Sequence, residues 1–208
     1  KVDSVLLEGT AAASLIEEAE QARMVVLGSR GLGGWTGLLV GSVATQVSTH
    51  AQCPIVVIPP DVRPRVHGKP TVVVGVDGSK TSIKAVEFAF DQAEAHGAKV
   101  LAVHAWTSPV STYEDGQGAL LFDKDEVEAA ARLVVAESLA GAMIDHPDVE
   151  HEVKLVSGQA ARALLLAAES ADLLVVGSRG RGGFTGLLLG SVSQSVLHHA
   201  HCPVAIVR

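Results

Sequence analysis

The chain has 208 residues, of which 48% are hydrophobic, and its formal net charge is -7 at pH 7. That length accommodates one large domain or about two small ones, and the apolar content can fill a buried core. The acidic balance and the lack of a basic stripe argue against a nucleic-acid partner, because a surface that follows a phosphate backbone needs clustered Lys and Arg. No apolar run approaches the about 20 residues that span a bilayer, and no charged leader precedes an apolar core. We therefore expect a cytoplasmic protein with no membrane partner.

The first part of the chain predicts a short series of strands and helices. Residues 4–7 predict a strand, residues 10–22 a helix and residues 24–27 a second strand. A glycine-rich loop and a further helix follow, and residues 55–58 predict a third strand. Residues 59–70 contain four prolines and several charges, which predicts an extended linker.

The rest of the chain predicts five strands that alternate with helices. The strands are the apolar runs at 71–76, 100–105, 151–156, 173–176 and 204–207. The helices are predicted at 80–96, 121–144, 160–170 and 192–199. Ser79 is a suitable N-cap for the first of these helices, and Gly97 is a suitable stop. This alternation is typical of an α/β fold with a doubly wound parallel sheet and helices on both faces, in which ligands bind beyond the carboxyl ends of the strands.

An internal repeat relates the two parts of the chain. At an offset of 149 residues, 27 of the first 59 residues are identical to their partners without a gap. The front copy begins only at the third strand of the unit, so two strands and two helices have no counterpart in it. The sequence therefore predicts a tandem arrangement in which the first copy is truncated.

The repeat also predicts domain boundaries and a strand order. Residues 1–60, here called the front segment, are assigned to the C-terminal portion of a first domain, and residues 61–69 to a linker. Residues 70–208, the second segment, are assigned to a complete domain with a five-stranded sheet in the order 3-2-1-4-5. In that order the missing strands would separate those of the front segment, which therefore cannot form a continuous sheet of its own.

Two glycine-rich loops, at 28–42 and 177–191, follow equivalent strands and precede equivalent helices. The Walker A spacing fails at Lys80, which does not follow a glycine at the required position. The dinucleotide fingerprint fails by one residue in the loop that begins at Gly177. Both loops instead satisfy a third spacing, Gly-x-x-Gly, nine residues, Gly-Ser. Many free backbone N–H groups before a helix N-terminus favour a phosphate ligand.

These motifs, together with the run Val-Gly-Val-Asp-Gly-Ser at 74–79, resemble the universal stress protein family of the ATP-binding type. The resemblance covers the whole chain. It implies an α/β fold, an ATP ligand that could carry Mg²⁺, and a homodimer formed through the last strands. It also implies that Asp77 lies against the ribose or the adenine, that the backbone near Ala105 meets the adenine, and that the second glycine loop encloses the phosphates.

The resemblance assigns cofactor-binding residues in both segments. In the second segment they are Gly75, Asp77, Ala105, Gly177, Ser178, Arg179, Gly180, Arg181, Gly182, Gly183, Gly190, Ser191 and Val192. In the front segment they are Gly28, Arg30, Gly31, Gly41, Ser42 and Val43. Gly177 and Gly180 are expected to allow positive φ and close backbone approach. Because the counterparts of Asp77 and Ala105 are missing from the front segment, that copy is expected to bind nucleotide weakly or not at all unless another polypeptide completes the pocket.

Each of these assignments has a purely structural alternative. The glycines could form only a tight strand-to-helix crossover, Asp77 could cap a helix, and Arg179 could be a solvated side chain. His104 closes a strand and fits a rim or core residue better than a catalytic one.

Metal and thiol chemistry have little support in the sequence. His198 and His199 are adjacent helical positions that point apart, which argues against a metal site with His201. Cys53 and Cys202 stand at equivalent positions before a strand, as small buried residues do, and a disulfide or a metal pair is not expected.

The sequence thus predicts an ATP-binding stress-response regulatory protein that acts as a nucleotide-dependent switch, with no assigned catalytic residue. Two alternatives stay open. One is a slow ATPase or nucleotidyl-transfer enzyme that uses the same pocket, and the other is a nucleotide-free interaction module.

Overall fold

The computed structural model describes residues 1–31, 40–62, 68–107, 124–182 and 188–208. The described helices are α1 (Ala11–Glu18), α2 (Ser42–His50), α3 (Lys80–His96), α4 (Lys124–Asp145), α5 (Ala160–Ala167) and α6 (Ser191–His199). The described strands are β1 (Val25–Gly28), β2 (Ile55–Ile58), β3 (Thr71–Gly75), β4 (Lys99–Trp106), β5 (His151–Ser157), β6 (Leu173–Gly177) and β7 (Val204–Val207). The predicted α/β architecture is confirmed.

The seven described strands form one sheet in the order β1-β2-β7-β6-β3-β4-β5. The five strands of the second segment therefore lie in the spatial order third, second, first, fourth, fifth, and all of their pairings are parallel. This order puts the carboxyl ends of β3 and β6 side by side at the point where the connections change direction, which is where ligands bind in such sheets.

The sequence predicted a sheet of five strands for the second segment, but two further strands extend this sheet. β2 pairs antiparallel with β7, and β1 adds to β2 in parallel. An unpaired β7 would expose a row of backbone N–H and C=O groups, and β2 satisfies them. The front segment has only part of the strands of a complete unit. Its two strands, β1 and β2, nevertheless join the sheet of the second segment.

The antiparallel pairing has a local twofold symmetry that follows the sequence repeat. Val56 lies opposite Ala205, and these two residues are equivalents at the offset of 149. On either side, Ile55 pairs with Ile206 and Val57 with Val204, so that each pair is the repeat image of the other. Corresponding features of the two segments therefore occupy quasi-equivalent places on either side of this axis.

The predicted strand at 4–7 is wrong. Residues 1–8 carry no regular structure, and Leu6 is 99% exposed. In the second segment the equivalent strand, β5, pairs only with β4, and among the described residues the front segment has no counterpart of β4. Without a neighbouring strand to receive its backbone hydrogen bonds, the segment does not form a strand.

The two faces of the sheet are covered unequally. One core lies between the sheet and α1, α2, α5 and α6, and the other lies between the sheet and α3 and α4. Val26 and Ile58, on β1 and β2, remain 52% and 39% exposed. The expectation of helices on both faces is therefore met for the second segment, whereas the described part of the front segment has no equivalents of α3 and α4.

Both cysteines are buried, as the sequence predicted, and both are free thiols. Each precedes the last strand of its segment. Burial raises the pKa of Cys202 to about 11, so this thiol is protonated and inert at neutral pH.

Candidate functional site

A cavity of about 500 Å³ lies beyond the carboxyl ends of β3 and β6. Its volume falls in the range of roughly 300–1,000 Å³ that is typical of small-molecule sites. Its lining includes these residues assigned from the sequence: Gly75, Asp77, Ala105, Gly177, Arg179, Gly180, Arg181, Gly182, Gly190, Ser191 and Val192. Residues more than 100 positions apart in the sequence are therefore brought to one site by the strand order.

Asp77 connects the turn after β3 to the second glycine loop. One carboxylate oxygen, Oδ1, accepts a hydrogen bond from the Ser79 N–H at 2.9 Å, and the other, Oδ2, accepts one from the Arg181 N–H at 3.1 Å. The N-cap of α3 is Ser79, whose side chain accepts from the Ser82 N–H. The helix-capping alternative for Asp77 therefore does not hold, and its carboxylate lines the cavity instead.

Gly177 is required by close packing between β6 and the start of α3. A Cβ at this position would lie 2.8 Å from the Thr81 carbonyl carbon and 2.9 Å from its oxygen, both backbone atoms. The expected positive φ is wrong for Gly177 and Gly180, since neither is among the residues with positive φ. At Gly180 a side chain would instead collide with the Asp77 carboxylate. Close approach, and not an unusual dihedral, is what these glycines provide.

The N-terminus of α6 faces the cavity with its first turn. Gly190 is the N-cap residue, in an extended conformation with φ −74°, and it makes no side-chain cap hydrogen bond. The first N–H groups of a helix carry partial positive charge, which suits an anion. Arg179 and Arg181 line the same cavity, so its loop side is rich in donors.

Ser178 and Gly183 are not placed as the sequence analysis assigned them. Ser178 is only 1% exposed and is not part of the cavity lining. Its N–H donates to the Val207 carbonyl at 2.6 Å, and its carbonyl accepts from the Gly190 N–H at 2.8 Å. It thus fixes the crossover from β6 to α6. Gly183 lies outside the described residues.

The opposite wall of the cavity is apolar and was only partly anticipated. Val103, Leu164 and Val176 line it beside Ala105. Leu164 comes from α5 and would lie 3.1 Å from a Cβ at Gly75, so a larger residue there would displace it. Periodicity marks Leu164 as a core residue of a helix, but only the packing of α5 against the sheet places it at the site.

Two serines at the site were also missed by the sequence analysis. Ser193 Oγ donates to the Gly177 carbonyl at 2.7 Å, and Ser82 Oγ accepts from the Asp77 N–H at 3.0 Å. Both serines hold the backbone that shapes the cavity. The front copy has Ala44 where the second has Ser193, so the repeat itself gives no signal for that residue.

The front-segment residues assigned to cofactor binding do not line this cavity. They are Gly28, Arg30, Gly31, Gly41, Ser42 and Val43. They nonetheless repeat the loop geometry of the second segment, since the Gly41 N–H donates to the Ser29 carbonyl at 2.6 Å. Arg30 pairs with Asp61 at 3.7 Å. The repeat offset leaves no equivalent of Asp77 or Ala105 in the front segment.

His104, which closes a predicted strand, lies in the core and not in a catalytic arrangement. His104 is 9% exposed, and its Nδ1 donates to the Val76 carbonyl at 2.7 Å. Within the described residues no group of three His, Cys, Asp or Glu side chains could hold a metal ion. Over those same ranges, no helix has the length and apolar character needed to cross a membrane.

Comparison with known proteins supplies the family. The universal stress protein family model matches residues 1–59 and 70–208. The chain belongs to the universal stress protein family. Universal stress protein Rv2005c of Mycobacterium tuberculosis is 42% identical over 209 residues, which cover 100% of this chain and 69% of the relative. Universal stress protein Rv2623 of the same organism is 38% identical, with 100% and 68% covered.

Structures of other universal stress proteins share the fold. One from Archaeoglobus fulgidus is 26% identical with a TM-score of 0.63 and covers 95% of this chain and 66% of its own. A universal stress protein determined in complex with cAMP is 31% identical with a TM-score of 0.51, over 68% of this chain and 98% of its own. A protein described as a putative universal stress protein, from Pseudomonas aeruginosa, is 16% identical with a TM-score of 0.68, over 97% and 69%, and supports the fold alone.

Proposed function

We propose that this universal stress protein binds an adenine nucleotide, ATP in the first place, in the cavity beyond β3 and β6. The observation that carries the proposal is that one cavity combines Asp77 with the second glycine loop and the N-terminus of α6. A nucleotide needs an acceptor for its ribose hydroxyls, donors for its phosphates and an apolar surface for its base. These three features lie in that cavity at a volume suited to a small molecule.

The polar and apolar walls assign an orientation to the ligand. The phosphates lie against Gly177, Gly180 and the first turn of α6, where N–H groups and arginine side chains provide donors. The base lies between Ala105 and Leu164, and Asp77 accepts from the ribose. Mg²⁺ is bound mainly by phosphate oxygens, because Asp77 is the single carboxylate among the described lining residues.

The relative in complex with cAMP supports an adenine nucleotide as the ligand class. The contacts of Asp77 support regulation over catalysis. Its carboxylate accepts two backbone N–H hydrogen bonds. These bonds suit a group that orients a loop and a ribose, and they make the carboxylate a poor general base. We therefore infer a stress-response switch in which nucleotide binding changes the hydrogen bonds between Asp77 and the loop at Arg181. A supply of ATP implies a cytoplasmic protein.

The domain arrangement follows the repeat. We propose a tandem of two units, with residues 1–60 a truncated first unit, 61–69 a linker and 70–208 a complete second unit; the family matches at 1–59 and 70–208 support these limits. The homodimer expected through the last strands is replaced within the chain, because β2 and β7 pair with one another and each has a second neighbour. A further homodimer would need a different surface.

Nucleotide release and thermal unfolding test the ligand. Mass spectrometry of small molecules released by denaturing the purified protein should detect an adenine nucleotide, and saturating ATP should raise the melting temperature by mass action. An unchanged melting temperature together with no released nucleotide would contradict nucleotide binding and would favour the nucleotide-free interaction module. Formation of ADP or AMP in excess of the protein, abolished by Asp77→Ala, would support the slow ATPase in place of the switch.

A further inference from the structure

A second cavity, of about 230 Å³, lies at the junction of the two segments and has no role in the proposed nucleotide site. We call it the junction cavity. Its walls come from the turn after β1, the chain that leaves β2, and the connection from α6 to β7. It includes Ser29, Arg30, Pro59 and Asp61 from the front segment and Leu197 and His198 from α6.

The local twofold symmetry of the sheet gives this cavity a counterpart on the other side of the axis. There, Arg208 follows β7 as Pro59 follows β2, and the two are equivalents at the repeat offset. The Arg208 guanidinium donates from Nη2 to the Ser48 carbonyl at 3.0 Å and also to the Thr49 carbonyl. A cation in this place satisfies carbonyls that the last turn of α2 leaves without helical partners.

The junction cavity has the equivalent carbonyls, but among the described residues no cation takes the place that Arg208 has on the other side of the axis. Leu197 and His198 of α6 are the repeat equivalents of Ser48 and Thr49. Across the described ranges no backbone N–H from beyond the helix and no side chain donates to either carbonyl. The equivalent of Arg208 is Pro59, which has neither charge nor donor.

Two further features of the junction cavity favour a cation with several donors. Ser29 is 3% exposed, and its Oγ has no hydrogen-bond partner among the described residues, so it can accept. Asp61 contributes a carboxylate, which lies 3.7 Å from Arg30. A cation beside Arg30 has a precedent, because Arg208 lies near Arg179, the repeat equivalent of Arg30. Burial, and after it the charge of Arg179, lowers the pKa of the Arg208 guanidinium.

We propose that the junction cavity is a binding site for a guanidinium group, either of free arginine or of an arginine side chain presented by another polypeptide. In Arg208 one guanidinium nitrogen, Nη2, donates to both carbonyls. A guanidinium presents five N–H donors in a fixed planar fork, so the donors that remain in the junction cavity are available to Ser29 and Asp61. An ammonium group is a compact, strongly hydrated point charge and matches this set of carbonyl, hydroxyl and carboxylate acceptors less well.

Titration of the full chain with three probes tests the site. The probes are L-arginine, the peptide Gly-Arg-Gly with blocked ends, and the matched Gly-Lys-Gly peptide, and the readout is the ring resonances of His198 and His201 by NMR. At least one guanidinium probe should shift these resonances saturably, with the lysine peptide binding at least about tenfold more weakly. Tighter binding of L-arginine than of the blocked peptide indicates a free amino acid ligand, and tighter binding of the peptide indicates a polypeptide partner.

Two variants separate this site from general surface binding. Pro59→Arg should place the chain's own guanidinium in the junction cavity, by analogy with Arg208. It should therefore weaken the binding of the arginine probes at least about tenfold. The matched variant Pro59→Gln lacks the charge and should keep wild-type affinity. No saturable shift, an equal response to the lysine peptide, or full binding by Pro59→Arg would overturn the proposal. ATP binding is measured in parallel in each variant and should be unchanged.

Discussion

At the scale of single residues, identical glycines in the two copies face different constraints. A Cβ at Gly177 would meet the backbone of Thr81 at 2.8 Å, whereas one at Gly28 would find its nearest atom, the Arg30 carbonyl oxygen, at 3.4 Å. Thr81 belongs to α3, and the front segment has no described counterpart of that helix. The same motif therefore has a strict steric requirement in one copy and a weak one in the other.

This difference predicts the effect of adding one methyl group. Gly177→Ala should force β6 away from α3 and reduce the free energy of unfolding by about 1–3 kcal/mol. It should also weaken the binding of ATP at least about tenfold, since the proposed phosphate-binding loop begins there. The matched variant Gly28→Ala should bind ATP like the wild type and lose little stability. Denaturant titration and calorimetric ATP binding measure both, and wild-type ATP affinity in Gly177→Ala would contradict the assigned role of the glycine.

At the scale of secondary-structure elements, the decisive contact is the antiparallel pairing of β2 with β7. Val56 lies in the middle of β2, opposite Ala205, and also pairs with Val26 of β1. Residues 1–60 contact the second segment through the backbone of this short strand, through the core that α2 shares with α6 and through the bonds from Arg208 to α2, and the side chains of β2 contribute to both cores. The attachment of the front segment therefore depends strongly on the backbone of β2.

A proline in β2 should release the front segment without unfolding the second. Val56→Pro removes a ladder hydrogen bond and fixes φ at a value that suits the middle of a sheet poorly. We expect faster proteolysis of the linker at 61–69 but retained ATP binding, because the described residues that line the large cavity lie between Gly75 and Ser193. The β-branched control Val56→Thr should resist proteolysis like the wild type.

If Val56→Pro showed unchanged proteolysis, the pairing of β2 with β7 would not be what attaches the front segment. The same variant bears on assembly, because release of β2 leaves β7 with an open edge. Its apparent mass in sedimentation should therefore rise towards that of a dimer.

At the scale of the whole molecule, one sheet carries two glycine loops, and of their described residues only those of the second loop line the cavity of about 500 Å³. The second segment supplies both a glycine loop and Asp77, whereas the front segment supplies only a loop. The two loops are thus similar in sequence and unequal in what surrounds them.

This asymmetry predicts one nucleotide per chain. Native mass spectrometry of the ATP-saturated protein should show a single bound nucleotide. In a titration, Asp77→Ala should raise the dissociation constant for ATP at least about tenfold, because the ribose loses its proposed acceptor. Arg30→Ala, the matched change in the front loop, should leave occupancy unaltered. Two nucleotides per chain would contradict the prediction and would mean that the front loop forms a site without Asp77 and Ala105 equivalents.

Much of the fold could be predicted from the sequence, because local patterns determine it. The helix at 80–96 and the strands at 55–58 and 204–207 match the structure in both limits, since capping residues delimit the helix and short apolar runs mark the segments that become strands when a neighbour is present. The cavity lining was also largely foreseen, because Asp77 and the glycine loop stand directly after strands whose carboxyl ends meet at one edge.

Other features depended on the tertiary structure. A strand at 4–7 failed because no neighbour receives its hydrogen bonds, and Leu164 reaches the cavity only through the packing of α5. By itself the sequence determined most of the helices and strands, the repeat and the loop that suits a phosphate. Only the tertiary structure decided that β2 pairs with β7 and that Thr81 leaves no room for a side chain at Gly177. It also decided that Arg208 bonds the end of α2, whereas its equivalent, Pro59, lines the junction cavity. Each of these features depends on contacts between residues that are distant in the sequence.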